Sequence, residues 1–65
     1  MITVHIEPEK KTEVLYGIKS VHALLNRLGL HRTMALIIRD GKLLTQDRKL
    51  HEADEITVRK VISVG

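Results

Sequence analysis

Only one stretch of this sequence has helical periodicity. Val21, Leu24, Leu25 and Leu28 fall at i, i+3, i+4 and i+7, one apolar stripe that leaves His22, Asn26 and Arg27 for the solvent side. Ser20 stands before it as an N-cap whose hydroxyl takes a free backbone N–H. Gly29 follows as a left-handed stop, and Arg27 occupies the last turn, where the helix dipole favours a cation. The predicted helix has about eight residues and is roughly 12 Å long. Its stripe has to be buried against strands, because nothing else in the chain reads as helix.

The rest reads as strands and turns. Ile2, Val4 and Ile6 alternate with Thr3, His5 and Glu7, a period of two that predicts a strand with one buried face, ended by Pro8. Glu9, Lys10 and Lys11 form a hairpin connection to a second, antiparallel strand over Thr12 to Tyr16, which Gly17 breaks. Beyond the helix, Met34 to Ile38 is a nearly continuous apolar run. Its lack of polar alternation predicts a strand near the middle of the sheet, buried more than its neighbours. Asp40 and Gly41 make a tight turn into a short strand at Lys42, Leu43 and Leu44. Thr45 to Asp54 is a surface connection with Leu50 turned inward, and Ile56 and Val58 alternate with Thr57 and Arg59 in a last strand. The predicted architecture is α+β, with a mixed four- to five-stranded sheet packed on one helix in the order ββαβββ. That order is the β-grasp layout of ubiquitin-like proteins. Residues 1–60 form the domain and residues 61–65 a flexible C-terminal tail.

Composition removes most chemistry. A chain of 65 residues has no room for a second core. The absence of cysteine excludes disulfides, thiolate metal sites and thiol nucleophiles. Tyr16 is the only aromatic residue, which argues against stacking on bases, and the arginines Arg27, Arg32, Arg39, Arg48 and Arg59 form no block despite a net charge of +3. No nucleic-acid partner is expected. No apolar run approaches the roughly 20 residues of a membrane span, and Met1 to Lys10 lacks a signal-peptide layout, so a cytoplasmic location and no membrane partner are expected. His5, His22, His31 and His51 lack metal-ligand spacing, and no metal is expected. Asp47, Glu52, Asp54 and Glu55 read as solvating loop charges, and Ser20 and Ser63 match no triad order or nucleophile elbow. The chain is expected to be no enzyme and to bind no cofactor.

Elimination leaves the carboxy terminus. A glycine at the end of a slim tail has no side chain, so a carboxylate on Gly65 can pass through a narrow channel into another enzyme's active site. With a reference pKa of about 3.5 it is ionised at neutral pH and can attack an electrophilic phosphorus. An ordinary frayed end that happens to stop at glycine is the alternative.

From Val14 through Gly65 the chain resembles the small sulfur-carrier family of the ubiquitin-like superfamily, the ThiS and MoaD type. The matching residues are the helix from Ser20 to Leu25 followed by Leu28, Gly29 and Leu30, the strand and turn from Ala35 to Gly41, and the segment from Ala53 to Val58. Val61, Ile62 and Ser63 then stand where family members carry a similar apolar pair before their glycines. The resemblance implies that the Gly65 carboxylate is adenylated by an ATP-dependent activating enzyme of the ThiF or MoeB kind. It then becomes a thiocarboxylate that gives its sulfur to a synthase, of the thiazole synthase or tRNA thiolase kind in preference to the molybdopterin kind. The family tail ends Gly-Gly, whereas this chain ends Val64-Gly65; a branched residue without glycine's backbone freedom works against threading a tight channel.

The docking surface is expected on the sheet face away from the helix, where Thr3, His5 and Glu7 point. Arg39, Arg59 and Lys60 are expected to line the exit of the tail and meet acidic groups on a partner, with Val61, Ile62, Ser63 and Val64 entering it. A β-grasp interaction or regulatory module without tail chemistry is the competing reading, kept open by Val64.

Overall fold

The computed structural model of the chain describes residues 1–61. Strands β1 (Ile2–Glu7) and β2 (Lys11–Leu15) come first, then helix α1 (Val21–Leu28), then strands β3 (Ala35–Arg39), β4 (Lys42–Leu43) and β5 (Glu55–Lys60). The helix begins and ends at the residues its local signals predict. The Ser20 hydroxyl accepts the Ala23 N–H, and Gly29 sits at φ 70°, closing the last turn through bonds from its own N–H.

The strands form one mixed sheet in the order β2-β1-β5-β3-β4. β1 and β5 run parallel, with Ile6 beside Val58, while the other neighbours are antiparallel. Asp40 at φ 53° and Gly41 at φ 76° are consecutive left-handed residues, the backbone of the primed hairpin turn that joins β3 to β4. The architecture is thus a small α+β layer pair with one helix and a five-stranded sheet among the described residues.

One face of the sheet carries Ile2, Val4, Ile6, Ala35, Ile37, Ile56 and Val58, all buried, and the helix lays Val21, Leu24 and Leu25 on it. Leu50 turns inward from the connection before β5 and completes the same aliphatic cluster. No polar or charged residue among those described is buried.

Two sequence expectations are corrected. The strand at the middle of the sheet is β5, and β3 lies one step from the edge. Its apolar run is not the mark of double burial, because Leu36 is 40% exposed on the face away from the helix. The run is continuous because both faces are apolar, one of them uncovered. Likewise β2 starts at Lys11 and stops before Tyr16, which is 73% exposed.

Truncating the fully buried Leu24 to alanine is expected to cost about 3 kcal/mol, enough to unfold much of a domain this small. Ser20→Ala, which removes only the cap, is expected to cost about 1 kcal/mol. Equilibrium urea unfolding followed by circular dichroism measures both.

Candidate functional site

Because side chains alternate across a strand, the register assigns one row after another to the uncovered face. His5 lies between Thr12 of β2 and Thr57 of β5, and the row continues through Ile38 to Leu43. Glu7, Arg59 and Leu36 make the next row toward the end of β5. The face is therefore divided. Its β1, β2 and β5 part is mostly polar, apart from exposed Val14 opposite Thr3: His5 shares hydrogen bonds with Thr12 Oγ1 at 3.1 Å and Glu55 Oε2 at 2.9 Å. Its β3 and β4 part is apolar, with Leu36 and Leu43 exposed.

The chain leaves the sheet from its central strand at the apolar side of this division. Val61 donates its N–H to the Met34 carbonyl at 2.8 Å, continuing the β5 to β3 pairing by one step, and both side chains are about half exposed. Met34, Leu36 and Val61 thus form an apolar rim at the last described residue of the chain. Ile62, Ser63, Val64 and Gly65, expected to carry the contact and the reactive carboxylate, lie outside the described residues.

Of the three expected basic residues, Arg59 and Lys60 lie beside Val61, on opposite faces of the sheet, and Arg39 does not. Arg59 faces the open side and pairs with Glu7 at 3.2 Å. Lys60 points to the helix side and pairs with Glu9 at 2.7 Å. Arg39, expected at the exit, is at the opposite end of the sheet, because β3 runs against β5 and ends beside its start. The separation along β5 is about 16 Å at the strand rise. There Arg39 donates to Asp54 Oδ2 at 2.8 Å and to the Lys49 carbonyl at 3.3 Å.

Sequence reading missed Met34, Leu36 and Leu43 as surface residues. Turn arithmetic could have found one of them: a two-residue turn at Asp40 and Gly41 sets Leu43 opposite Ile38, on the same face as Leu36.

Asp54 has the best-held carboxylate. Partial burial pushes its pKa up, but the His51 backbone N–H at 2.8 Å and the Arg39 hydrogen bond and charge outweigh that and leave it below the ordinary aspartate value. Asp47, fully exposed, is lowered chiefly by the hydrogen bond from the Thr45 hydroxyl. Among the described residues no three His, Cys, Asp or Glu side chains stand close enough to hold a metal ion. His22 contacts Asn26 and Gln46, and His31 contacts Thr33. No described helix is long and apolar enough to cross a membrane.

No model of a known protein family matches this chain, and no curated protein matches it.

Since Asp54 has a folded-state pKa below its unfolded one, its contribution is fully present above about pH 3.9 and is lost as the pH falls through the lowered value. Asp54→Ala is expected to lower stability by about 2 kcal/mol at neutral pH and to flatten the loss on acidification. Urea midpoints taken between pH 7 and pH 2.5 test this; parallel curves for the variant and the original chain would refute it.

Proposed function

We propose that this chain is a ubiquitin-like β-grasp protein that acts as a sulfur carrier of the ThiS and MoaD type, with Gly65 as its working C-terminus. The strand order β2-β1-β5-β3-β4 with a single helix on one face supports the fold component of this reading. The functional component is carried by the way the central strand delivers the chain to Val61 beside exposed Met34 and Leu36. A segment leaving the most firmly held strand next to an apolar rim suits a partner that grips the body and receives the tail.

In this reading the Gly65 carboxylate attacks the α-phosphorus of ATP in a ThiF- or MoeB-like activating enzyme, and pyrophosphate leaves. A sulfide equivalent then attacks the acyl-adenylate carbon, AMP leaves, and the new thiocarboxylate passes its sulfur to a synthase of thiazole formation or tRNA thiolation. The carrier adds no catalytic side chain, holds no cofactor, and works in the cytoplasm with its enzymes. Apolar contact by Leu36 and Val61 supplies affinity, and the Arg59 and Glu7 pair sits at the rim of that contact.

The sequence feature Val64 favours a second reading, in which the same apolar rim binds a partner and the tail does no chemistry.

Incubation with ATP, magnesium, sulfide and an activating enzyme, followed by intact-mass analysis, tests the first. Exchange of one oxygen for sulfur at Gly65 is expected, faster in Val64→Gly and at least about tenfold slower in Leu36→Glu, which puts a charge in the contact. A carboxylate unchanged in both the original chain and Val64→Gly overturns the carrier reading, and conversion of Val64→Gly alone favours the interaction module.

A further inference from the structure

The pole of the molecule farthest from Val61 carries a band of cations on a fixed backbone. The connection that follows β4 is tied down from both sides: the Val21 N–H donates to the Arg48 carbonyl at 3.0 Å and the Leu50 N–H to the Lys19 carbonyl at 2.9 Å. Arg39 adds its bond to the Lys49 carbonyl. These bonds hold the main chain that presents Lys19, Arg48 and Lys49, so the side chains start from set positions.

Three shallow depressions adjoin along this band. The first, about 380 Å³, has Ile18 and Leu50 in its lining beside Lys19 and Lys49. The second, about 460 Å³, shares Lys49 and His51 with the first and adds Arg39 and Arg48. The third, about 310 Å³, shares Arg39 and Arg48 with the second and continues to Lys42, Leu43 and Leu44. Cations line all three depressions, with Ile18 at one end of the band and the exposed Leu43 at the other.

Its charge is cancelled only in part. Lys19, Lys42, Arg48 and Lys49 form no ion pair among the described residues. Of the nearby acids, Glu52 is held by the Met1 amine and Asp54 by Arg39, while Asp47 accepts from Thr45. Asp40 and Asp47 are the carboxylates left against four cations.

We infer that this band is a docking surface for an acidic peptide segment flanked by apolar side chains, separate from the tail and independent of its chemistry. The apolar side chains Ile18 and Leu43 at the two ends decide for peptide over nucleic acid, since a sugar-phosphate backbone would engage the cations and leave these side chains without a partner. Tyr16, the sole residue of the Phe, Trp and Tyr kind, lines none of the three depressions, so none of them offers a large aromatic face for a base. Charge attraction speeds encounter and sets register, and the flanking apolar side chains slow dissociation.

The test is an amide chemical-shift titration of the full chain with a capped peptide of aspartates bearing a leucine at each end. Saturable shifts confined to residues 18–19, 39–44 and 48–51 are expected, with affinity falling as salt rises. The double variant Arg48→Glu with Lys49→Glu is expected to weaken binding by more than about tenfold. An equal charge change at the other pole, Lys10→Glu with Lys11→Glu, is expected to change it by less than about threefold, which separates local contact from net charge. The proposal is overturned by unsaturable or scattered shifts, by equal losses in the two double variants, or by equal binding of the same peptide with asparagines in place of aspartates. Tighter binding of a charge-matched oligouridylate at the same residues also overturns it, in favour of a nucleic-acid surface.

Discussion

The burial of one eight-residue helix on one face of the sheet determines everything else in this molecule. Among the described residues twelve aliphatic side chains are buried with no aromatic or polar group among them, so cohesion rests on close contact between hydrocarbons. Such a core leaves few alternatives for its components. β5 has to be central because Ile56 and Val58, both fully buried, need neighbours on either side as well as the helix above. Leu50 joins the core from the long connection, and backbone bonds to Lys19 and Val21 tie that connection to the start of α1.

The features legible in the sequence are those governed by local chemistry. The cap at Ser20, the stop at Gly29 and the apolar spacing between them act within a few residues, and the helix follows them to its ends. Alternation in β1 and β5 likewise reports which face is covered. What periodicity lacks is the other side of the question. In β3 the residues Leu36 and Ile38 are as apolar as Ala35 and Ile37, and only the position of the helix decides which pair is buried. The placement of Arg39 was hidden for a related reason: its partner Asp54 is fifteen positions away, and strand register, a long-range property, brings them together.

The candidate site has the same division. That the described chain ends just past β5 follows from β5 being last, and the sequence shows that much. The apolar rim at Met34, Leu36 and Val61 appears only when β3 and β5 are set antiparallel. The two ends of β5 consequently differ in character, with the apolar rim beside Val61 at one and Lys19, Lys42, Arg48 and Lys49 grouped at the other. A protein of this size has little area to spare, and its two chemically distinct surfaces lie at opposite poles without overlap.

The parallel pairing of β1 with β5 carries a mechanical meaning. Tension drawn outward through Val61, against an opposite pull at Ile2, runs along both strands in opposing directions and loads their ladder of bonds side by side in shear. Rupture then demands that the rungs give way together, whereas the β1 to β2 hairpin, tugged at its open end, would unzip rung by rung. A macromolecular machine hauling on the far end of this chain would meet its stiffest resistance at the outset, and the helix would feel nothing until the two strands had slipped.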